Sequence, residues 1–488
     1  MKSFYSHCSK LIIFTIIIFS VNMFGQNAND ALRLGIPGLG SSARALGMGN
    51  SYIGLSDDGS AAFFNPAGFG LIKKLEISGS IAYTKYGNNT VFFNRYTNYS
   101  KSSTKLNRLS FVFPFPTFRG SLVFGISYHT TKNFTGALKF DGFNNHNNSM
   151  IQFYNYGISN NIPYDLYLTD TTYNSQTQSY NSPINGFLNQ RGNILSTGSL
   201  NNWTFSGAIE AYKNLYLGVN LNIISGSYNN NNDYYEEDTR GYYANAETTP
   251  GDIKTLGFQV FHLNRILNWD ISGWDAKFGL LYQINNIARI GATVQFPKTY
   301  TVKEKFTVNG DALFSGGFNP QLISSNYSDK VQYDIVTPYE LGLGASVSIH
   351  GLILSGQITQ IDYTQLKFAN PSGLTTQYVE SQNKQISDSL KAVFNYNLGA
   401  EYTVPNTGLR IRAGYFIISS AYQSDPSSFN HKYYTFGAGY LLNGSVAVNV
   451  AYLHGSWKTY GDNYSNNLSR THQNITSNRF ILGMTYRF

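Results

Sequence analysis

The sequence predicts an all-β protein, a 14-stranded antiparallel transmembrane β-barrel with an N-terminal hatch in its lumen. Three observations support this fold class. The 488 residues include 46 Gly, 38 Tyr and 34 Phe but only 13% charged residues, a composition that suits many strands. Apolar residues alternate with small or polar ones in segments of about ten residues, as they do in outer-membrane barrels. Short turns also alternate with long polar loops along the chain.

The first 25 residues are predicted to be a secretory signal peptide. Lys2 and Lys10 supply positive charge, and residues 11–21 form an uncharged apolar run that is too short for a spanning helix. Cys8, the single cysteine, precedes this run and leaves with it, so the mature chain is expected to have no disulfide. Removing the two lysines takes the formal net charge from +8 to +6, a surplus too small to indicate a nucleic-acid partner.

The alternation is clearest at the C-terminus, "RFILGMTYRF". Phe480, Leu482 and Met484 point to one side of the predicted strand, and Ile481 and Gly483 point to the other. The same pattern recurs upstream, and we expect its apolar face to contact lipid at every position. The predicted outward residues there are Leu215, Leu217, Val219, Leu221, Ile223, Ile290, Ala292, Val294, Phe296, Leu409, Ile411, Ala413, Tyr415, Val446, Val448, Val450 and Tyr452.

Turn lengths predict the topology. Six tight turns are expected at 116–120, 213–214, 285–288, 350–351, 405–408 and 443–444. Seven long loops are expected at 88–104, 135–200, 229–270, 306–330, 369–391, 423–431 and 459–472. Together they connect fourteen strands, the even number that places both chain ends on the periplasmic side. Residues 253–263 also alternate like a strand, but a fifteenth spanning strand breaks this parity, so the segment is assigned to the third loop.

A barrel of this width needs something in its bore, because eight strands already enclose a space that side chains just fill. Residues 26–74 precede the first strand, which is predicted at 75–87, and they contain the Gly-rich stretch "GNSYIGLSDDGSAAFFNPAGFG". Glycines let a backbone turn tightly and lie close to a wall. The domains expected are therefore a signal peptide at 1–25, a hatch at 26–74 and a barrel at 75–488.

Several segments, in this order, resemble the FadL/TodX-type outer-membrane transporters of long-chain fatty acids and other hydrophobic compounds. They are "DDGSAAFFNPAGF", "ISGWDAKFGLLYQINNIARIGATVQF", "TPYELGLGASVSI", "IDYTQLKF", "NYNLGAEYTVPNTGLRIRAGY" and the terminal "LGMTYRF". The resemblance implies that the hatch carries the family's motif at Asn65, Pro66 and Ala67, followed by Gly68. It also implies passive uptake through a lumenal pocket, hatch movement and lateral release.

The resemblance places the lateral opening at a kink in the third strand, here about residues 119–134. Gly120 and Gly125 permit a bend or bulge there; alternatively, they serve barrel curvature alone. The implied location is the cell outer membrane. The partners implied are a hydrophobic small molecule or fatty acid, outer-membrane lipid and lipopolysaccharide, and the barrel-assembly machinery through C-terminal Phe488. A monomer without a cofactor is expected.

Two hatch carboxylates and four wall arginines are candidate functional residues. Asp57 and Asp58 could pair with Arg289, Arg410, Arg412 and Arg487, because buried charges must be paired to be tolerated. In a second hypothesis, an arginine binds the head carboxylate of the solute in a bidentate manner. In the third, these groups are ordinary lumenal or rim charges.

Other polar clusters carry weaker signals. Asp233, Glu236, Glu237 and Asp238 could bind a divalent cation, but the sequence favours a solvated loop. No nucleophile, metal-ligand or phosphate-loop pattern is present, so an enzyme is not expected.

The alternative function is a PorV-like barrel that acts as a shuttle or attachment component in protein secretion. Tyr363, Trp457, Tyr460 and Tyr486 are predicted to belong to interfacial aromatic girdles.

Overall fold

The structure is a computed structural model that describes residues 27–156, 162–174, 177–285, 287–464 and 467–488. The predicted signal peptide, including Cys8, lies outside these residues. Among the residues described, no helix is long and apolar enough to cross a lipid bilayer.

Fourteen antiparallel strands form the closed barrel that the sequence predicts. The last strand pairs with the first over sixteen residues, from Arg487 opposite Glu76 to His472 opposite Val91, and this pairing closes the sheet. The first seven strands are β1 Glu76–Phe92, β2 Arg95–Phe115, β3 in two segments (Leu122–Asn133 and Gly136–Asn144), β4 Leu188–Tyr212, β5 Leu215–Glu237, β6 Phe258–Ile284 and β7 in two segments (Ala288–Gln295 and Thr299–Phe314). The other seven are β8 (Ser328–Val336 and Glu340–Ile349), β9 (Leu352–Asp362 and Lys367–Ser372), β10 Ala392–Thr403, β11 Leu409–Ile418, β12 His431–Leu442, β13 Val446–Asp462 and β14 Arg470–Arg487.

All six predicted tight turns are confirmed. Asn214, His350 and Asn443 adopt the left-handed backbone conformation that such short connections require. Because these turns lie at the end of the barrel where Phe488 donates its N–H to the Leu75 carbonyl (3.0 Å), both ends of the barrel sequence share the short-turn side. That side is the periplasmic one in outer-membrane barrels.

The side chains on the outer face of the barrel are apolar, and they alternate with inward side chains as the sequence predicts. Along β14, Ile481 is fully buried, whereas Leu482 is 41% and Met484 55% exposed. An exposed apolar band that encircles a closed sheet is stable only in lipid, and the strands can cross it because closure satisfies their backbone hydrogen bonds. Other exposed members of the band are Val219, Leu221, Ile223, Ile290, Phe296, Ile411, Tyr452 and Phe480.

The long loops are shorter than predicted, because several strands continue beyond the membrane as paired hairpins. β1 and β2 are joined by a two-residue turn at Phe93 and Asn94, where a loop over 88–104 was expected. Residues 253–263 lie neither in a loop alone nor in a fifteenth strand. From Phe258 onward they are the outer end of the 27-residue β6, which pairs with both β5 and β7. Parity gave the right strand count, but the assignment of this segment was wrong.

The extracellular end of the barrel is capped by the loop between β3 and β4. This loop carries α1 of the cap at Met150–Tyr156, α2 at Ile162–Asp165, and a small hairpin of Asp170–Asn174 with Thr177–Asn181. Its Met150, Ile151 and Leu166 are buried against inward residues of the extended strands. A third helix, α3 at Thr376–Ser389, follows β9.

Two of the four predicted girdle aromatics lie inside the barrel. Tyr363 is fully buried in the upper lumenal cluster, and Trp457 stacks on His431 with ring centroids 4.1 Å apart. Tyr363 lies in a 3₁₀ turn between the two segments of β9, and Trp457 lies on the inward face of β13, so the girdle prediction was wrong for both. Tyr460 and Tyr486 are exposed.

Candidate functional site: the filled lumen

Residues 27–74, here called the plug segment, pack inside the barrel and are mostly buried. The segment begins with helix α4 (Ala28–Gly35), whose Asn27 side chain accepts hydrogen bonds from the N–H groups of Asn29 and Asp30. Helix α5 (Ala43–Gly47) and two 3₁₀ turns, Gly59–Ala62 and Pro66–Leu71, follow. The plug segment therefore runs from the upper lumen to the periplasmic end.

Seven inward-facing glycines of the wall allow the plug segment to approach the strands. A Cβ atom placed on Gly414 would collide with the Gly49 N–H group, and one on Gly218 would collide with the Pro66–Ala67 peptide. Glycine has no Cβ, so backbone can pack on backbone at these positions. They form an arc around the wall, in which Gly218 pairs with Gly279, Gly291 with Gly344, and Gly399 with Gly414, and Gly437 completes the arc.

The predicted motif, residues 65–68, forms the lower part of the contact between the plug segment and the wall. The Asn65 Nδ2 group donates to the Ile53 carbonyl within the plug segment and to the Leu280 carbonyl of the wall, both at 3.0 Å, while its Oδ1 accepts from the Ala67 N–H at 3.1 Å. Pro66 opens the 3₁₀ turn, and a side chain at Gly68 would collide with the Ser56 carbonyl. The motif thus joins two parts of the plug to β6.

A network of charged side chains holds the part of the plug segment that contains Arg44 and Asp57. The Arg44 guanidinium makes a bidentate contact with Glu401 of β10 (2.9 and 3.0 Å) and donates to Asp57 (2.5 Å) and to the Tyr52 hydroxyl (3.0 Å). Arg289 of β7 donates to the other oxygen of Asp57 at 3.1 Å. Arg44 and Asp57 therefore connect the plug to two strands of the wall, β10 and β7.

Asp58 lies in a second part of the network. Its oxygens accept hydrogen bonds from Tyr52 (2.9 Å) and from the Ser60 N–H (2.8 Å), and Arg108 lies 4.0 Å away. Beside it, Glu76 accepts from the Gly59 N–H (2.7 Å) and from Arg487 (2.9 Å). This part ties the plug to β1, β2 and β14.

The structure divides the predicted arginines among different carboxylates. Arg289 contacts Asp57, Arg412 contacts Glu401 at 2.5 Å, Arg410 lies 4.0 Å from Glu401, and Arg487 contacts Glu76. Sequence reasoning missed Arg44, Arg108, Glu76 and Glu401. The hairpin register could have revealed Glu401, because it faces Arg412 across the predicted 405–408 turn on the inward side of both strands.

Burial raises the pKa of Asp57, but the charges of Arg44 and Arg289 outweigh it and hold the pKa below its ordinary value. The pKa of Asp58 is also lowered, since Arg108 and Arg44 outweigh burial. A depressed carboxyl pKa stabilises the folded state above the unfolded pKa, and the contribution is lost as the pH falls toward the folded pKa.

We therefore expect the plug to stay docked at neutral and mildly acidic pH and to loosen only below about pH 4, the ordinary aspartate range. Conductance of the barrel in a planar bilayer, recorded as the pH is lowered, measures this. A rise in leak that begins near pH 6 would contradict the role of Asp57 and Asp58, and Asp57→Asn should leak throughout the range.

A cavity of about 140 Å³ lies between the plug segment and the wall. One side is apolar and includes Leu39, Ile53 and Phe63 of the plug segment. The other is polar and is formed by strands β3 to β10, with Lys277 donating to the Phe63 carbonyl at 2.6 Å. The polar lining includes His129, Thr131, Lys132, Asn202, Asn222, Asp275, Lys277, Gln295, Lys298, Glu340, Gln357, Thr359, Asn395 and Asn397.

The third strand is irregular, but not at the predicted glycines. Gly120 lies in the periplasmic turn with φ +71°. Gly125 lies in a regularly paired stretch, where an added Cβ atom would lie 3.0 Å from the ring of Phe69. The pairing of β3 with β4 shifts between Thr130 and Lys132, so the irregular residue is Thr131, which also lines the cavity. The irregularity therefore lies above the two glycines, at the level of the cavity.

The predicted acidic cluster does not form one site. Glu236 is buried and accepts from Gln190 and Tyr234, Glu237 pairs with Arg191, and Asp233 contacts Asn264 and His262. Asp238 accepts from two loop N–H groups. Within the described part of the chain, no three His, Cys, Asp or Glu side chains are placed to hold a metal ion.

Known proteins were compared with the chain by sequence and by structure. No family model and no curated protein matches the sequence. Among solved structures, a FadL homologue of Pseudomonas aeruginosa matches with a TM-score of 0.55 at 13% identity, covering 93% of this chain and 100% of that chain. The chain has the FadL-type fold. The toluene transporter TodX of P. putida matches with a TM-score of 0.55 at 13% identity, covering 92% of this chain and 99% of the other. The monoaromatic hydrocarbon channel CymD has a TM-score of 0.50 at 13% identity, with 93% and 98% covered.

Proposed function

We propose that this FadL-type barrel admits hydrophobic compounds passively across the outer membrane. The observation that carries the proposal is the cavity between the plug segment and the irregular part of β3. A solute held there is shielded from the polar surface of the membrane. Similarity in fold to channels described as a toluene transporter and a monoaromatic hydrocarbon channel supports the same class of solute.

The cavity walls favour an amphipathic solute over a pure hydrocarbon. An apolar body would pack against Leu39, Ile53 and Phe63, while a polar group would face Lys132 and Lys277. An unsubstituted hydrocarbon would displace water from these cationic groups without supplying a further acceptor, which costs free energy. A fatty acid has both parts, so a carboxylate-bearing chain is the solute class we propose.

The route involves release into the membrane near Thr131. The backbone there departs from regular pairing, and Lys132 donates to the carbonyls of Arg33 (2.8 Å) and Leu34 (2.7 Å) at the end of α4. Movement of the plug segment would therefore change the contacts of Lys132 at the edge of β3. An apolar solute that reaches this edge enters the hydrocarbon core downhill.

Filling the cavity should block uptake without changing the barrel. In Thr359→Trp the new side chain enters the cavity, whereas in Ile358→Trp, one residue earlier, it points outward to lipid. We expect uptake of a radiolabelled fatty acid by a deletion strain to be restored by wild type and Ile358→Trp but reduced about tenfold or more in Thr359→Trp. Equal uptake by both variants, or unchanged uptake in the deletion strain, would contradict the proposal.

A second candidate is an attachment or shuttle component in protein secretion. It is favoured by the cap, because Met150, Ile151 and Leu166 pack into the extracellular mouth and leave a small polar-walled cavity below. In that case a deletion strain would take up solute normally but retain secreted proteins in the periplasm. Measuring both quantities in the same strain separates the two functions.

A further inference from the structure

A small pocket of about 30 Å³ opens beneath the plug segment at the periplasmic end of β11 to β14. Its lining includes four arginines, Arg44, Arg410, Arg412 and Arg487, with Asp58 as the carboxylate among the lining residues described. The pocket is separate from the 140 Å³ cavity between the plug segment and the wall, because the lining residues of the two have no member in common.

One arginine in this pocket is incompletely satisfied. Arg412 is 5% exposed; its Nε donates to Glu401, but its Nη1 is buried and has no acceptor within the described structure. A guanidinium N–H that is buried without an acceptor costs free energy comparable to a lost hydrogen bond to a charged group. The Nη1 group therefore calls for an acceptor that the protein does not supply.

The charges of the surrounding network point to the same need. Six arginines lie within 4.0 Å of four carboxylates, so two positive charges are unmatched in the described network. The carboxylates are Asp57, Asp58, Glu76 and Glu401, and the arginines are Arg44, Arg108, Arg289, Arg410, Arg412 and Arg487. Charges held in a lumen away from bulk water require compensation.

The Arg410 side chain lies at the rim of the pocket, where a ligand can reach it. Its side chain is one-third exposed, and its described contact is the 4.0 Å approach to Glu401, a carboxylate that already receives Arg44 and Arg412. Its planar fork remains able to bind a carboxylate or phosphate from the periplasm.

We propose that this pocket is an anion site that takes a carboxylate or phosphate group from the periplasmic side, with Arg412 Nη1 and Arg410 as donors. The bound group supplies the missing acceptor and offsets the surplus charge, and it secures the plug to β11. The site does not depend on the transport proposal, since a free periplasmic anion and the head group of a released solute share this chemistry.

Calorimetric titration of the full-length barrel in detergent tests the site, with inorganic phosphate, octanoate and uncharged octanol as probes. We expect phosphate or octanoate to bind and octanol not to bind. Where Arg410→Gln weakens the binding, tighter binding of octanoate than of phosphate assigns the pocket to solute head groups, and the reverse order assigns it to a free anion. Absence of binding by both anions overturns the proposal.

Two variants locate the binding. Arg410→Gln should weaken anion binding about tenfold, since one charge-assisted contact is lost, while Arg119→Gln in the exposed 116–121 turn makes the same charge change and should have no effect. Gly439→Ala keeps every charge but places a methyl group 2.8 Å from Arg412 Nη1, so it should also weaken binding. If Arg410→Gln and Gly439→Ala bind like wild type while remaining heat-modifiable barrels, the pocket is not the site.

Discussion

Replacing Gly414 with alanine is expected to displace the plug and make the barrel leak. A Cβ at this position would lie 2.5 Å from Gly49 Cα and closer still to the Gly49 N–H. The obstructing atoms are backbone, so no change of rotamer can relieve the overlap. Overpacking of this kind costs on the order of 1–3 kcal/mol, which shifts the balance between docked and undocked plug by about five- to 150-fold.

The barrel itself should survive this substitution. The backbone conformation of Gly414 is one that alanine adopts, and its pairing with Gly399 and Thr435 belongs to the strand ladder rather than to the plug. We therefore expect heat modifiability on gels to be retained while conductance in planar bilayers rises.

Gly356→Ala is the matched control. Gly356 lies in β9 and faces away from the plug, and the nearest atom to a Cβ placed there is a Leu398 methyl at 3.7 Å. Conductance should stay at the wild-type level in this variant. If Gly414→Ala conducts no more than Gly356→Ala, the glycine contacts do not hold the plug.

The fold was predictable because successive side chains of a transmembrane strand face lipid and lumen in turn, so apolar residues alternate with small or polar ones. Leu482 and Met484 face lipid, Ile481 and Gly483 face the lumen, and the six short turns follow from the same count. The extracellular ends were not predictable in this way. Outside the membrane no lipid imposes alternation, so polar strands such as the outer part of β1 looked like loops.

The candidate site was predictable in its residue types but not in its pairings. Inward glycines such as Gly218 and Gly414 were visible in the pattern, yet nothing in one strand says that plug backbone lies against them. Asp57 was predicted to pair with an arginine of the wall, and Arg289 lies 3.1 Å from it in the structure. Arg44 was overlooked because a basic residue in a short Gly/Ala-rich stretch gives no local sign of a carboxylate 357 residues away.

Removal of the Arg44 side chain is the second change expected to have a large effect. Arg44→Met would leave Asp57 with one cation instead of two and would strip the bidentate partner from Glu401, which is almost fully buried. Breaking one member of a buried ion pair costs about 3–5 kcal/mol, because the remaining charge stays desolvated. We expect the plug to undock in most molecules, with a lower thermal midpoint and a high, steady conductance.

Arg95→Met provides the control for this substitution. Arg95 pairs with Asp141 at 3.1 Å on the extracellular surface, where its side chain is 60% exposed. Exposed ion pairs of this kind contribute about 0–1 kcal/mol, so the thermal midpoint and the conductance should barely change. Arg44→Lys should fall between the two, since it keeps a positive charge but cannot reach Glu401 with two parallel donors.

The double variant Arg44→Met/Gly414→Ala tests whether the contacts of Arg44 and Gly414 both keep the plug segment docked. If both act on plug docking, the plug is already released by the stronger single change, and the conductance of the double variant should equal that of Arg44→Met. Independent defects in the wall would instead add. Additive conductance, or a wild-type value for Arg44→Met, would mean that the network between Arg44, Asp57 and Glu401 stabilises the barrel without closing it.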